Sequence, residues 1–219
     1  MPKKRESEPE PTVHIVDDDP GVRKALALLM CSAGLQAQTY ESAQDFLDRY
    51  EPGRLGCVIL DIRMPGMSGL ELQQELVARR DPIPIIILTG HGDIPMAVRA
   101  IKAGALDFIE KPFQNGTLLS LVSTGLERDR AAREERARHE AIANRLARLT
   151  PREREVMEHL IHGELSKVAA AELGISPRTV EIHRARILEK LGVRSISEVV
   201  RITLLYQPEG KAHETLDKS

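Results

Sequence analysis

Five side chains, far apart in the chain, have the types that phosphoryl chemistry needs. Asp17 and Asp18 follow the run Val13-His14-Ile15-Val16, and Asp61 follows Cys57-Val58-Ile59-Leu60. Thr89 follows Ile85-Ile86-Ile87-Leu88, and Lys111 follows Leu106-Asp107-Phe108-Ile109-Glu110. If these runs are strands of one parallel sheet, all five side chains meet at its carboxyl edge, where open α/β sheets bind ligands. Carboxylates, a hydroxyl and an ammonium there suit a divalent cation and a phosphoryl group. Mg²⁺ wants hard oxygen ligands and keeps several waters. Asp18 and Asp61 can ligate it directly, Asp17 through water, and the backbone carbonyl of Arg63 can complete the protein ligands. Lys111 can pair with one phosphoryl oxygen and Thr89 can donate to another, so the chemistry is positioning and electrostatics.

The elements that must position these residues alternate. Strands are expected near 12–17, 35–39, 56–61, 84–89 and 106–110, with helices near 20–33, 41–49, 68–80 and 93–103. That order predicts a doubly wound, five-stranded parallel sheet. Val22, Leu26, Leu29 and Met30 have the spacing of an amphipathic helix. A helix beginning after Pro112 is expected to continue through the charged, alanine-rich run Glu127–Glu140. This run reads as a solvated spacer supported by pairs such as Glu134 with Arg138. Thr150-Pro151-Arg152-Glu153 then has the form of a capping box with proline at the first helical position. Further helices are expected at 165–173, 176–191 and 195–206, giving an all-α, four-helix unit. The boundaries are therefore a disordered 1–11, a first domain 12–126, a linker 127–146, a helical domain 147–206 and a flexible tail 207–219.

Composition narrows the function classes. Across 219 residues the net charge is −2, with 42% hydrophobic and 29% charged side chains, three phenylalanines, three tyrosines and no tryptophan. No apolar stretch reaches the ~20 residues of a membrane span, and no signal-peptide pattern follows the polar start, so a cytoplasmic location is expected. Cys31 and Cys57 read as small buried side chains. Residues 150–219 hold 11 basic and 11 acidic side chains, so any nucleic-acid contact must come from a local patch. With so few aromatics, a base-stacking single-strand binder is not expected.

That patch lies on residues 176–191. Leu165 to Leu191 reads as helix-turn-helix, with Val168, Ala169, Ala170 and Leu173 inward, Gly174 in the turn, and Val180, Ile187, Leu188 and Leu191 on the second helix's core face. Ser176, Arg178 and Thr179 at the helix start suit phosphate contacts. Glu181, Ile182, Arg184 and Ala185 can meet base edges, with His183, Arg186 and Lys190 on the same basic side. His159 and His162 lie three apart on a helix, but no third ligand is evident, so they do not define a zinc site.

The blocks Val16-Asp17-Asp18-Asp19, Asp61-Ile62-Arg63-Met64-Pro65-Gly66-Met67-Ser68-Gly69, Thr89-Gly90-His91-Gly92-Asp93 and Lys111-Pro112-Phe113 resemble the receiver domain of two-component response regulators. His91-Gly92-Asp93-Ile94-Pro95-Met96-Ala97-Val98 is similar to the FixJ branch. Leu149-Thr150-Pro151-Arg152-Glu153-Arg154-Glu155-Val156 and Ile175-Ser176-Pro177-Arg178-Thr179-Val180-Glu181-Ile182-His183 resemble the LuxR/NarL-type DNA-binding domain. Lys167-Val168-Ala169 departs from that family's usual Ile-Ala pair.

The resemblance implies Asp61 as phosphoacceptor, a sensor histidine kinase as donor, Mg²⁺ as cofactor, and double-stranded DNA as the output partner, with RNA polymerase a further candidate. It implies a cis Lys111–Pro112 bond, a switch in which Phe108 turns inward as Thr89 moves, and a homodimer formed on phosphorylation. Val98, Ile101 and Lys102 share a helical face that would serve that dimer. Together these give a phosphorylation-activated DNA-binding regulator of transcription, not an enzyme. The alternative is a constitutive DNA-binding regulator whose receiver serves only for dimerisation. A Mg²⁺-dependent phosphatase would need a second aspartate two residues after Asp61, and position 63 is arginine.

Overall fold

The computed structural model describes residues 10–90 and 94–205. Residues 91–93 of the fourth-strand block, most of the 1–11 segment and all of the 207–219 tail expectation lie outside the described residues. The chain divides into two compact units, residues 1–133 and 134–219.

In the first unit, β1 (Thr12–Val16), β2 (Gln36–Tyr40), β3 (Gly56–Asp61), β4 (Ile85–Thr89) and β5 (Asp107–Glu110) form one parallel sheet in the order β2-β1-β3-β4-β5. They alternate with α1 (Pro20–Ser32), α2 (Ala43–Arg49), α3 (Gly69–Ala78) and α4 (Ile94–Lys102) and lead into α5 (Asn115–Ala147). Successive strand side chains point to opposite faces, so both faces must be covered. Val58, Leu60, Ile85 and Ile87 pack with Phe46, Leu72, Leu76 and Ala100 of α2, α3 and α4. Val13, Ile15, Ile59, Ile86 and Leu88 pack with Leu26, Met30, Leu118 and Val122 of α1 and α5. Each of these buried side chains larger than alanine contributes about 1.5–3 kcal/mol of transfer free energy. His14 is buried in β1, where its Nδ1 lies 2.9 Å from the Tyr40 hydroxyl. Burial holds its imidazole down at about 4, against the pull of Asp81.

The charged run after Leu126 is not wholly solvated. Asp129 is 1% exposed; its Oδ2 accepts from the Gly56 backbone N–H at 2.9 Å and from Arg133 Nε at 2.7 Å. Arg133 also donates to the Arg54 carbonyl at 2.6 Å. The first unit's packing therefore continues past the end of the apolar stripe, because a buried carboxylate needs partners and finds them at the sheet's amino edge. The expected Glu134–Arg138 side-chain pair does not form. Arg138 instead meets the Glu134 carbonyl and pairs with Glu135 at 3.1 Å. Cys57 is buried as expected, whereas Cys31 is exposed near the end of α1.

The second unit packs α6 (Pro151–Ile161), α7 (Ser166–Leu173), α8 (Pro177–Leu191) and α9 (Ile196–Leu205) around Leu149, Val156, Leu160, Ala169, Ala170, Val180, Ile187, Leu191 and Val199. Thr150 and Glu153 form the capping box with Pro151 in the first turn. Gly174 ends α7 in the left-handed conformation at φ 66°, which a glycine adopts without a Cβ penalty. Val168, expected inside, is exposed, because Ala169 and Ala170 fill the inner face of this short helix.

Candidate functional site

Parallel strands carry the residues that follow them to one edge. Asp17, Asp61, Thr89 and Lys111 stand at the carboxyl ends of β1, β3, β4 and β5. Asp17, Asp61 and Lys111 are in direct contact. The Lys111 ammonium donates to Asp17 Oδ2 at 2.8 Å and to Asp61 Oδ1 at 2.5 Å. Backbone N–H groups hold the other carboxylate oxygens: Asp19 donates to Asp17 Oδ1 at 2.9 Å, and Arg63 donates to Asp61 Oδ2 at 2.7 Å. Both aspartates are buried, whereas Asp18 is exposed beside them. Asp19 caps α1 through its side chain.

Burial pushes the Asp61 carboxyl above its ordinary range and Asp17 adds to this, while Lys111 and the Arg63 N–H pull it down. Burial alone would lower the Lys111 ammonium, but its bonds to the two carboxylates win and raise it. Thus one cation already bridges two carboxylates, with a third carboxylate exposed next to them. These hard oxygen donors fit a divalent ion such as Mg²⁺.

Thr89 is at the same end but not in that contact, and Phe108 lies further back on β5, in register with Ile87. Thr89 is buried and its hydroxyl donates to the Gly90 carbonyl at 3.2 Å. Phe108 is 36% exposed on the edge strand, so it is no ordinary core residue. The Lys111–Pro112 peptide is cis. Val98, Ile101 and Lys102 are all exposed on α4.

Gly69 opens α3 directly against the end of β3. A Cβ there would lie 2.1 Å from the Asp61 carbonyl oxygen, a backbone atom that cannot step aside. Gly69→Ala is expected to destabilise the first unit by about 1–3 kcal/mol. Urea unfolding followed by circular dichroism checks this, and an unchanged midpoint would contradict it.

In the second unit the structure sorts the basic face of α8. Val180, Ile187 and Leu191 are buried, while Arg178, Glu181, Ile182, Ala185 and Arg186 are exposed and Arg184 is half-buried. Ser176 caps the helix through the Thr179 N–H and also lies 2.8 Å from the Thr179 hydroxyl. His183 is half-buried, and its Nδ1 has no partner among the described residues. Lys190 departs from expectation. Its ammonium is 2.6 Å from Glu153, whose carboxylate is buried and also accepts from the Thr150 N–H at 2.8 Å. This lysine is engaged in holding α8 to α6.

His159 and His162 do not converge. His159 Nδ1 faces Glu164 at 2.6 Å and Glu172 at 3.7 Å, whereas His162 bonds the Glu158 carbonyl. Sequence reading missed the tie of Asp129 to Gly56, because an aspartate four residues before an arginine has the pattern of any exposed pair.

A doubly wound sheet with an acidic carboxyl edge, followed by a helix-turn-helix unit, defines a switchable DNA-binding protein. Comparison with known proteins agrees. Residues 13–123 match the response regulator receiver domain, and residues 147–203 match the bacterial regulatory proteins of the luxR family. The transcriptional regulatory protein FixJ of Azorhizobium caulinodans is 47% identical over 88% of this chain and 92% of its own. The response regulator protein TmoT of Ectopseudomonas mendocina is 43% identical over 89% of this chain and 88% of its own. Among solved structures, the response regulator StyR matches at a TM-score of 0.85 and 45% identity, covering 90% of this chain and all (100%) of the other. The chain belongs to the FixJ-type response regulators, in which a receiver domain and a luxR-family domain give phosphorylation-dependent regulation of transcription. No helix among the described residues is long and apolar enough to cross a membrane.

Proposed function

We propose that Asp61 accepts a phosphoryl group from a sensor histidine kinase and that this switches the protein into a DNA-binding homodimer in the cytoplasm. The observation that carries the reading is the Lys111 ammonium held between Asp17 and Asp61. It marks the point where negative charge converges and where a phosphoryl group needs neutralising.

Asp61 attacks phosphorus through a carboxylate oxygen, forming an O–P bond as the bond from phosphorus to the donor imidazole nitrogen breaks. The Arg63 N–H, 2.7 Å from Asp61 Oδ2, keeps the carboxylate oriented for that attack. Asp18, Asp61 and the Arg63 carbonyl would hold Mg²⁺ directly, with Asp17 acting through water, and the ion would supply neutralisation of the transferring charge. Lys111 keeps Asp17 and turns to a phosphoryl oxygen, and Thr89 exchanges its bond to the Gly90 carbonyl for another. Phe108, half out of the sheet edge, has an inward position to take once Thr89 moves. Val98, Ile101 and Lys102 then form the dimer face. In the luxR-family unit, Ser176, Arg178 and Thr179 contact phosphates. Glu181, Ile182, His183, Arg184, Ala185 and Arg186 approach base edges or their flanking backbone. Lys190 belongs to the scaffold rather than to this set.

The test is mass by size-exclusion chromatography with light scattering, in Mg²⁺, before and after beryllofluoride is added as a phosphoryl mimic. Doubling of the mass is expected. An unchanged mass with the mimic bound would overturn the dimer, and failure of the mimic to bind would overturn the site.

A further inference from the structure

The helix-turn-helix starts in an unusual way. Leu165 occupies the N-cap position of α7, is 74% exposed, and makes no side-chain cap bond. Serine is a preferred cap residue, yet Ser166 stands one position later and caps nothing. Its hydroxyl instead crosses to α8, donating to Glu181 Oε1 at 2.6 Å. The same oxygen lies 3.8 Å from Arg184 Nη1. Both residues otherwise face solvent, their side chains 53% and 42% exposed.

We propose that Ser166 is a positioning residue for base readout, holding Glu181, and through it Arg184, in the orientation that reads DNA sequence. The inference rests on the proposed role of α8 as the DNA-reading helix. An exposed glutamate samples many rotamers and loses that freedom when it contacts a base. A hydroxyl bonded to a carboxylate is charge-assisted and fixes the rotamer before DNA arrives. Both contacts fall on Oε1, leaving Oε2 to accept from a base. In the major groove the matching donor is the cytosine N4 amino group, and the matching site for Arg184 is guanine O6 and N7. A carboxylate held there also repels every base edge that offers only acceptors, so a fixed Glu181 discriminates by exclusion as well as by attraction. A mobile Glu181 would swing away from a wrong base and forfeit that exclusion.

The experiment uses the full chain, activated with beryllofluoride, and a pool of randomised duplex DNA from which bound sequences are selected. The selected duplex and a scrambled duplex are then titrated with the parent protein and with Ser166→Ala, Ser166→Thr, Glu181→Ala, Arg184→Ala and the Ser166→Ala/Glu181→Ala double variant. Ser166→Ala is expected to lower the ratio of selected-to-scrambled affinity about three- to tenfold, the worth of one hydrogen bond. It should relax the same base position that Glu181→Ala relaxes. Ser166→Thr, which keeps the hydroxyl, should restore most of the ratio, and the double variant should discriminate no worse than Glu181→Ala alone. Equal loss on both duplexes would make Ser166 a phosphate contact and overturn the proposal, as would additive losses in the double variant. Arg184→Ala and Glu181→Ala together separate this failure from that of the underlying reading. If both leave sequence preference intact, this face of α8 does not read bases and both readings fall. If either alters the preference while Ser166→Ala matches the parent, only the role of Ser166 falls.

Discussion

Asp61→Asn is expected to abolish phosphoryl uptake, by about a thousandfold or more, while leaving the fold intact. An amide oxygen cannot act as the nucleophile, so the loss is chemical. The fold should tolerate the change because asparagine is nearly the same shape and keeps one oxygen, enough for the Arg63 N–H or for Lys111 though not for both, while Lys111 still pairs with Asp17. Burial already disfavours the Asp61 charge, and Asp17 lies on the other side of the shared ammonium. Thermal stability without Mg²⁺ should therefore stay the same or rise slightly. Intact-protein mass after incubation with a small phosphodonor and Mg²⁺ reads the first effect, and circular dichroism reads the second. A phosphorylated variant would move the acceptor elsewhere. Loss of both phosphorylation and fold would mean that the carboxylate is needed for packing first.

The second large effect concerns stability of the helical unit. Glu153→Ala should destabilise it by about 2–3 kcal/mol, since it removes a capping bond and leaves Lys190 without its buried partner. Lys190 is one-third exposed and can turn to water, which keeps the figure below that for a fully buried pair. In so small a unit this lowers the melting temperature by on the order of 10 °C. The pH dependence follows from the carboxyl itself. Burial works against its charge, but Lys190 and the Thr150 N–H and hydroxyl outweigh it and hold it down at about 2, against an ordinary 4.5. A depressed carboxyl stabilises the fold above the unfolded value and loses that contribution as pH falls through the folded one. The gap between the parent and Glu153→Ala should thus be full at pH 7 and shrink steadily from about pH 4.5 to 2. Melting curves of the full chain across that range check it, and a gap that widened on acidification would reject the assignment. Lys190→Ala should show a stability loss of the same kind before any loss of DNA affinity.

What the sequence determined by itself was local. Strand-end residues, amphipathic spacing, the Thr150–Glu153 capping box and the Gly174 turn depend on neighbours a few positions away, and the observed elements start and stop close to the expected ones. Because parallel strands deliver their following residues to one edge, the acidic site was also legible as five separated positions. The tertiary structure decided who pairs with whom. Lys111 reaches Asp17 across 94 positions, Asp129 reaches Gly56 across 73, and Lys190 reaches Glu153 across 37. A charged residue in an exposed-looking pattern carries no mark of such a partner. The same reason explains Cys31 and Val168, expected inside yet exposed: periodicity names a face of a helix, and only packing says how wide a stripe of it the core covers.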